Sequence, residues 1–200
     1  MVTGDGPSMG HEMLRQHLSD IATAVAECGS ACGASVVAAA EIIVASYRSG
    51  GKLLLCGNGG SAADSLHMAA ELVSSYQRGL SRRALPAIAL PANTATITAY
   101  SNDFDPLDVF ARQIEAFGVE GDVLLAITTS GRSENVIRAA RAANGRGVSV
   151  IALTRAGATP LSEFADVTIG VPGVDTQVIQ TLHLAVEHTL CGYVEAAFAD

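Results

Sequence analysis

Apolar residues recur along this chain at two spacings, and the alternation between them predicts the architecture. From residue 10 to about 28, Met13, Leu14, Leu18, Ile21, Ala22 and Val25 repeat at helical spacing. A second helix, from about 31 to 49, carries Val36, Val37, Ala40, Ile43, Val44 and Tyr47. Gly50-Gly51 ends it. Short apolar runs then appear at 53–56, 85–90, 123–127, 148–153 and 167–171, the length of strands buried on both faces. Pro86 opens the second run, as proline does at a strand start. Helical patterns lie between and after them: one reaching about 75, then 94–100, 107–117, 134–144, a short piece at 161–165, and a final helix at 176–198 with Asp175 as its N-cap. Strands alternating with helices predict one α/β domain over 1–200, a three-layer doubly wound fold on a five-stranded parallel sheet. The N-terminal helical pair at 10–49 precedes it and serves either layer packing or a subunit interface. Residues 1–8 read as a loose tail.

Composition narrows the choices. Two hundred residues, 49% hydrophobic and 16% charged, fill one such domain and not two. A mean hydropathy of +0.34 exceeds what one protomer of this size hides, so the chain is expected to oligomerise. A net charge of −8, with 12 scattered Lys and Arg, argues against a nucleic-acid partner and requires any anionic ligand to be held by local dipoles. Cys28, Cys32, Cys56 and Cys191 form no Cys-x-x-Cys pair and are expected to be reduced. The first ten residues lack a secretion-type apolar stretch, and no uninterrupted apolar run reaches the roughly 18 residues of a membrane span. The expected location is the cytoplasm, with no membrane partner.

Two polar turns carry candidate chemistry. After the first apolar run stand Gly57-Asn58-Gly59-Gly60-Ser61, which lack both the Gly-x-Gly-x-x-Gly of dinucleotide folds and the Gly-Lys-Ser/Thr of a P-loop. After the third stand Thr128, Thr129, Ser130 and Ser133, four hydroxyls within six residues at a helix start. One N-cap needs one hydroxyl; four suit a dianion held by donors and the helix dipole. Both turns follow a strand and precede a helix, so they open at the same sheet edge.

Just beyond the first turn, His67 and Glu71 are four apart and share a helix face. The final helix adds Gln180, His183, Glu187 and His188 among Thr, Leu, Ala and Val. Gln180 and Glu187 are nearly eclipsed at helical pitch, with His188 about 80° round from Gln180, so the three can face one cleft. His183 and Glu187 repeat the His-Glu spacing, which leaves two possible histidine ligands on that helix. Two His, a Glu and a Gln amide make a four-ligand zinc site; a paired His and Glu equally suit proton shuttling without metal.

Cys56-Gly57-Asn58-Gly59-Gly60-Ser61 with His67 and Glu71, Asn102-Asp103-Phe104 after the short helix, Gly121-Asp122-Val123-Leu124-Leu125, Thr129-Ser130-Gly131, and Ile179-Gln180 through His183 to His188 together resemble the phosphoheptose isomerases. These SIS-domain (sugar isomerase) enzymes interconvert sedoheptulose 7-phosphate and D-glycero-D-manno-heptose 7-phosphate. The likeness runs in order from about residue 50 onward. It implies a homotetramer with active sites at subunit contacts and one zinc ion per subunit held by His67, Glu71, Gln180 and His188. It implies substrate contacts at Asn58, Gly59, Gly60, Ser61, Glu71, Asn102, Asp103, Thr128, Thr129, Ser130, Ser133 and Gln180, with Glu71 and His188 catalytic. Two stretches depart from the pattern: the Arg-bearing loop at 78–83, and Arg155-Ala156-Gly157-Ala158 in place of a Gly-Gly pair. The rival readings are a SIS-fold regulatory or binding protein and an isomerase of another phosphosugar. The presence of both Glu71 and His188 favours the enzyme over the binding protein.

Overall fold

The computed structural model describes residues 9–199, and the tail expected at 1–8 lies outside them. Five parallel strands form one sheet in the order β2-β1-β3-β4-β5: β1 Leu53–Cys56, β2 Ala87–Ala89, β3 Val123–Ile127, β4 Ser149–Arg155 and β5 Val167–Val171. Alternate residues along a strand face opposite layers. Leu53, Leu55, Val123, Leu125, Ile151 and Leu153 pack against α1 (Met9–Arg48), α2 (Gly60–Val73) and α6 (Thr176–Ala197). Leu54, Cys56, Leu124, Ala126, Val150 and Ala152 pack against α4 (Val109–Phe117) and α5 (Glu134–Asn144), with Ile97 and Tyr100 of α3 (Thr94–Asp103) at the margin. The expected three-layer doubly wound fold is what forms. Strand order reverses between β1 and β3, which opens a crevice beyond their carboxyl ends. The opposite ends are tied by buried Asp122, which accepts hydrogen bonds from the backbone N–H of Lys52 at 3.0 Å and of Val119 at 2.9 Å and pairs with the Lys52 ammonium.

The N-terminal pair of helices is instead a single helix of 40 residues. No proline interrupts residues 28–31, and a glycine inside a helix costs only about 1 kcal/mol, which does not outweigh continued hydrogen bonding. The Ser30 hydroxyl bonds back to the Glu27 carbonyl at 2.9 Å rather than capping a new helix. Over its second half, Val36, Ala39, Ala40, Ile43, Val44 and Tyr47 are buried. Over the first half, Met9, Met13, Leu14, Leu18 and Val25 are exposed. By length and composition α1 would suffice to cross a membrane, a property that a search for uninterrupted runs misses.

Smaller differences have local causes. β2 spans only Ala87–Ala89 because Pro86 lacks an N–H and Pro91 starts a 3-10 turn at Leu90–Ala92. α3 runs on to Asp103, so Asn102 and Asp103 belong to its last turn. β4 extends to Arg155, so that residue ends a strand rather than opening a loop.

α6 buries three polar residues; of these, His183 and Glu187 are fully buried on its inward face. Burial drives the His183 imidazole down to about 4, against the opposing pull of the Thr154 backbone, so it stays neutral. Burial first, then the charges of Asp64 and Glu71, push Glu187 from 4.5 up to about 9. A folded-state value above the unfolded one means that the native chain holds a proton which the unfolded chain releases. The group therefore leaves stability intact below about 4.5 and erodes it as pH rises toward 9. Glu187→Gln, a neutral isostere, is expected to match the parent in melting temperature near pH 4 and to exceed it by several degrees at pH 8. Thermal melts on chelator-treated protein read this, and equal Tm values at pH 8 would show that the carboxyl is not buried in its acid form.

Candidate active site

α2 starts in the glycine turn, and its Gly60, Asp64, His67 and Glu71 recur at helical spacing on one face. α6 runs alongside. At one end of the seam the Gln180 amide packs against Gly60, where an added Cβ would stand only 1.7 Å from Gln180 Nε2 and would push that amide out of its place. Asp64, mostly buried, is raised by burial and drawn back by the His67 charge and by a hydrogen bond from the Gln180 side chain.

Farther along, the side chains converge. His67 Nε2 is 3.1 Å from His188 Nε2 and 3.1 Å from Glu71 Oε1, and His188 Nε2 is 3.7 Å from that same oxygen. The two imidazoles meet edge to face, with centroids 5.3 Å apart. Of the two histidines on α6, packing selects His188 for this cluster and sends His183 into the core. Three lone-pair donors of the N,N,O type lie within 4.8 Å of one another, a set richer in acceptors than in protons, and a divalent cation such as zinc fits it. Gln180 sits at the Gly60 end of the same face, outside this trio. The trio is open to solvent in the single chain, with the His67 side chain 48% exposed.

The second turn lies across the β1–β3 crevice. Thr128 Oγ1 contacts Ser133 Oγ at 2.9 Å and Ser130 Oγ at 3.4 Å, and Ser130 Oγ accepts from the Arg132 N–H at 3.2 Å. Ser133 occupies the N-cap position of α5 but makes no side-chain cap, and Gly59 leaves α2 without one as well. The hydroxyls cluster instead of capping, with Thr129 half-buried and Ser130 exposed beside the start of α5. Such a helix start favours an anion. The two turns are joined by Asn58 and Asn135, whose amides exchange hydrogen bonds of 2.8 and 2.9 Å. Buried Ser61 accepts, through its carbonyl, from the Ser65 hydroxyl at 2.8 Å. Asn102 and Asp103 are exposed and bond each other at 2.7 Å; among the described residues no hydrogen bond joins them to the trio or to the hydroxyl turn.

Sequence reasoning passed over Asp64, Asn135 and Tyr76. Asp64 falls at the helical spacing of Gly60 and His67 and was open to discovery by periodicity. Asn135 and Tyr76 gain their places only through contacts between distant segments. The four cysteines are free, as expected. Burial lifts the Cys56 thiol to about 12, and burial with Glu71 lifts Cys191 further, so neither is a thiolate.

The SIS domain family profile matches residues 16–155. The phosphoheptose isomerase of Rhodospirillum rubrum is 49% identical over 169 residues, covering 84% of this chain and 89% of that protein. That of Bradyrhizobium sp. (strain BTAi1) is 45% identical over 188 residues, covering 93% and 94%. The solved phosphoheptose isomerase of Neisseria gonorrhoeae superposes with a TM-score of 0.86 at 37% identity, over 92% of this chain and 98% of that one. The Francisella tularensis structure gives 0.88 at 34%, over 92% and 97%. Fold, sequence and the convergence of His67, Glu71 and His188 agree, and the chain belongs to the phosphoheptose isomerases, enzymes of the SIS-domain family.

Proposed function

We propose that this isomerase interconverts sedoheptulose 7-phosphate and D-glycero-D-manno-heptose 7-phosphate through a cis-enediol, the opening step of nucleotide-activated heptose synthesis. The observation that carries the reading is the meeting of an acid from α2 with an imidazole from α6, 3.7 Å apart, beside a crevice lined with hydroxyls. An aldose–ketose exchange needs one group to move a proton between adjacent carbons and another to move one between their oxygens. Glu71 Oε1 takes the proton from the carbon next to the carbonyl and returns it to its neighbour. His188 Nε2 relays the proton between the oxygens. Thr128, Thr129, Ser130 and Ser133, with Asn58, Gly59, Gly60 and Ser61, hold the phosphate and the chain that bears it. Asn102, Asp103 and Gln180 orient the sugar hydroxyls. His67, Glu71 and His188 would hold zinc, with Gln180 as fourth donor once its amide swings from Gly60 toward them. When bound it polarises the carbonyl and hydroxyl oxygens as a Lewis acid.

We further propose a homotetramer working in the cytoplasm. An exposed apolar stripe on α1 and a catalytic trio open to solvent in one protomer both support subunit contacts that cover them.

Incubation with sedoheptulose 7-phosphate should generate the aldose, visible by NMR, and pretreatment with a chelator should slow it. No aldose from metal-replete protein would remove the heptose assignment. Glu71→Gln should lower kcat about 10²- to 10⁴-fold, the usual cost of losing an acid–base group. Near-normal turnover in that variant would exclude Glu71 as the base. Ser130→Ala should act on KM instead, raising it several-fold with kcat little changed; an unaltered KM would take Ser130 out of the phosphate site. Analytical ultracentrifugation should report four chains per particle.

A further inference from the structure

The segment that follows α2, residues 74–83, is fastened to α6 by one carboxylate. Glu195 Oε1 accepts from the Tyr76 N–H at 2.9 Å and Oε2 from the Gln77 N–H at 2.7 Å. The Arg82 guanidinium reaches the same carboxylate through Nε at 2.9 Å, in an ion pair whose side chains are 2% and 1% exposed. Burial alone would raise Glu195, and these donors outweigh it, holding the group ionised and below its ordinary range. Arg82 also donates through Nη2 to the Glu71 carbonyl at 2.8 Å, so the fastening returns to the helix turn that bears the proposed base.

The fastening fixes a ring. Tyr76 lies with its centroid 5.9 Å from that of His188, the planes tilted by 38°. His188 also meets His67 at 5.3 Å, so the imidazole is in contact with two rings. Tyr76 is seated over Gly192, one turn beyond His188 on α6, where an added Cβ would stand 3.2 Å from the ring's Cε1. Glycine lets the ring lie close on the helix; a methyl there would press it by a few tenths of an ångström. An imidazole on an exposed stretch of helix can turn about its side-chain bonds, and each wrong rotamer takes Nε2 away from Glu71. A ring packed on one face removes that freedom without spending either imidazole nitrogen on a hydrogen bond.

We propose that Tyr76 is a positioning residue, its ring held by Glu195 and Arg82 against Gly192 so as to keep the His188 imidazole aimed at Glu71 and His67. The inference rests on the functional reading above, in which His188 moves a proton and joins a metal site. It assigns a task to the loop at 78–83: the Arg82 of that loop completes the fastening.

The test compares Tyr76→Ala with Tyr76→Phe, each assayed for kcat, for KM and for zinc affinity by competition with a chromophoric chelator. Tyr76→Ala is expected to lose about 10-fold in kcat at a KM within about twofold of the parent, and to bind zinc about 10-fold more weakly, as supports of metal ligands do when removed. Tyr76→Phe, which keeps the ring, should retain both. If Tyr76→Ala keeps kcat or zinc affinity, or if Tyr76→Phe falls as far as alanine, ring positioning is wrong. Should Tyr76→Ala not fold, Gly192→Leu carries the test, since its side chain takes the ring's seat and leaves Tyr76 and His188 in the sequence. A kcat lowered a few-fold at unchanged KM supports the proposal and a parental kcat overturns it. His188→Asn is run in parallel: full turnover in that variant sinks the catalytic reading itself, and the Tyr76 proposal with it.

Discussion

The side-by-side packing of α2 and α6 is the constraint on which the rest depends. Gly60 meets Gln180, His67 meets His188, and Tyr76 meets Glu195, so contacts advance together along both helices. The two chain segments are more than a hundred residues apart and share no hydrogen-bonded strand; they are aligned because both lay apolar faces on the same side of the sheet through Met68, Leu72, Leu182, Val186 and Leu190. That apolar contact sets the depth and pitch of the seam. Polar side chains placed along its margin then have no choice of neighbour. Burying polar atoms is costly unless they find partners, and the seam supplies them unevenly: Glu195 is fully engaged, while Glu71 Oε2 and both carboxyl oxygens of Glu187 have none among the described residues.

On the proposed reading an acidic chain must bind a sugar phosphate without a ring of lysines. The hydroxyl turn would meet this requirement by geometry. Because β1 and β3 are neighbours at the point where strand order reverses, the starts of α2 and α5 face one crevice; neither N-cap residue closes its helix with a side chain, and among the described residues only the Val136 N–H in α5 is taken by a side chain, that of Asn135 at 3.0 Å. The reciprocal amides of Asn58 and Asn135 hold the two turns at fixed separation. On the proposed reading Glu71, eleven residues beyond Gly60 on α2, stands away from the dianion, which keeps their repulsion small, while Glu134 at the start of α5 is paired with Arg138.

Strands were the easiest elements to read from the chain, because a buried parallel strand is a bare apolar run between turns. The two polar turns were equally clear, since their chemistry is contiguous. His67 and Glu71 could be paired by spacing alone. Harder cases all turned on information that a local pattern does not contain. Residues 28–31 look like a helix break until the absence of proline and the downstream packing are weighed, and α1 then runs straight through. His183 and His188 have equal claims in the sequence, differing only in angle on the helix; the neighbour decides, and α2 lies on the His188 side. Arg82 reads as one member of a basic, solvated loop, yet it is among the least exposed charged side chains because Glu195, 113 residues away, draws it in.

Grip and chemistry are joined by a single helix. On the proposed reading α2 begins in a turn that holds the phosphate and carries His67 seven residues on, about 10 Å along the axis at the helical rise. A ligand anchored at the strand ends must therefore extend two turns down the helix before its carbonyl meets the acid and the imidazole. On the proposed reading this favours a long-chain sugar phosphate over a short one, for a mechanical reason: a shorter chain could be held by the same hydroxyls and still fall short of Glu71. Moving His67 or Glu71 by one turn would alter that reach without touching the phosphate turn, and moving the turn would leave the acid–base pair intact. On that reading, selectivity for chain length is set by where on α2 Glu71 stands, and α6, through its packing on the sheet, supplies His188 at the matching height.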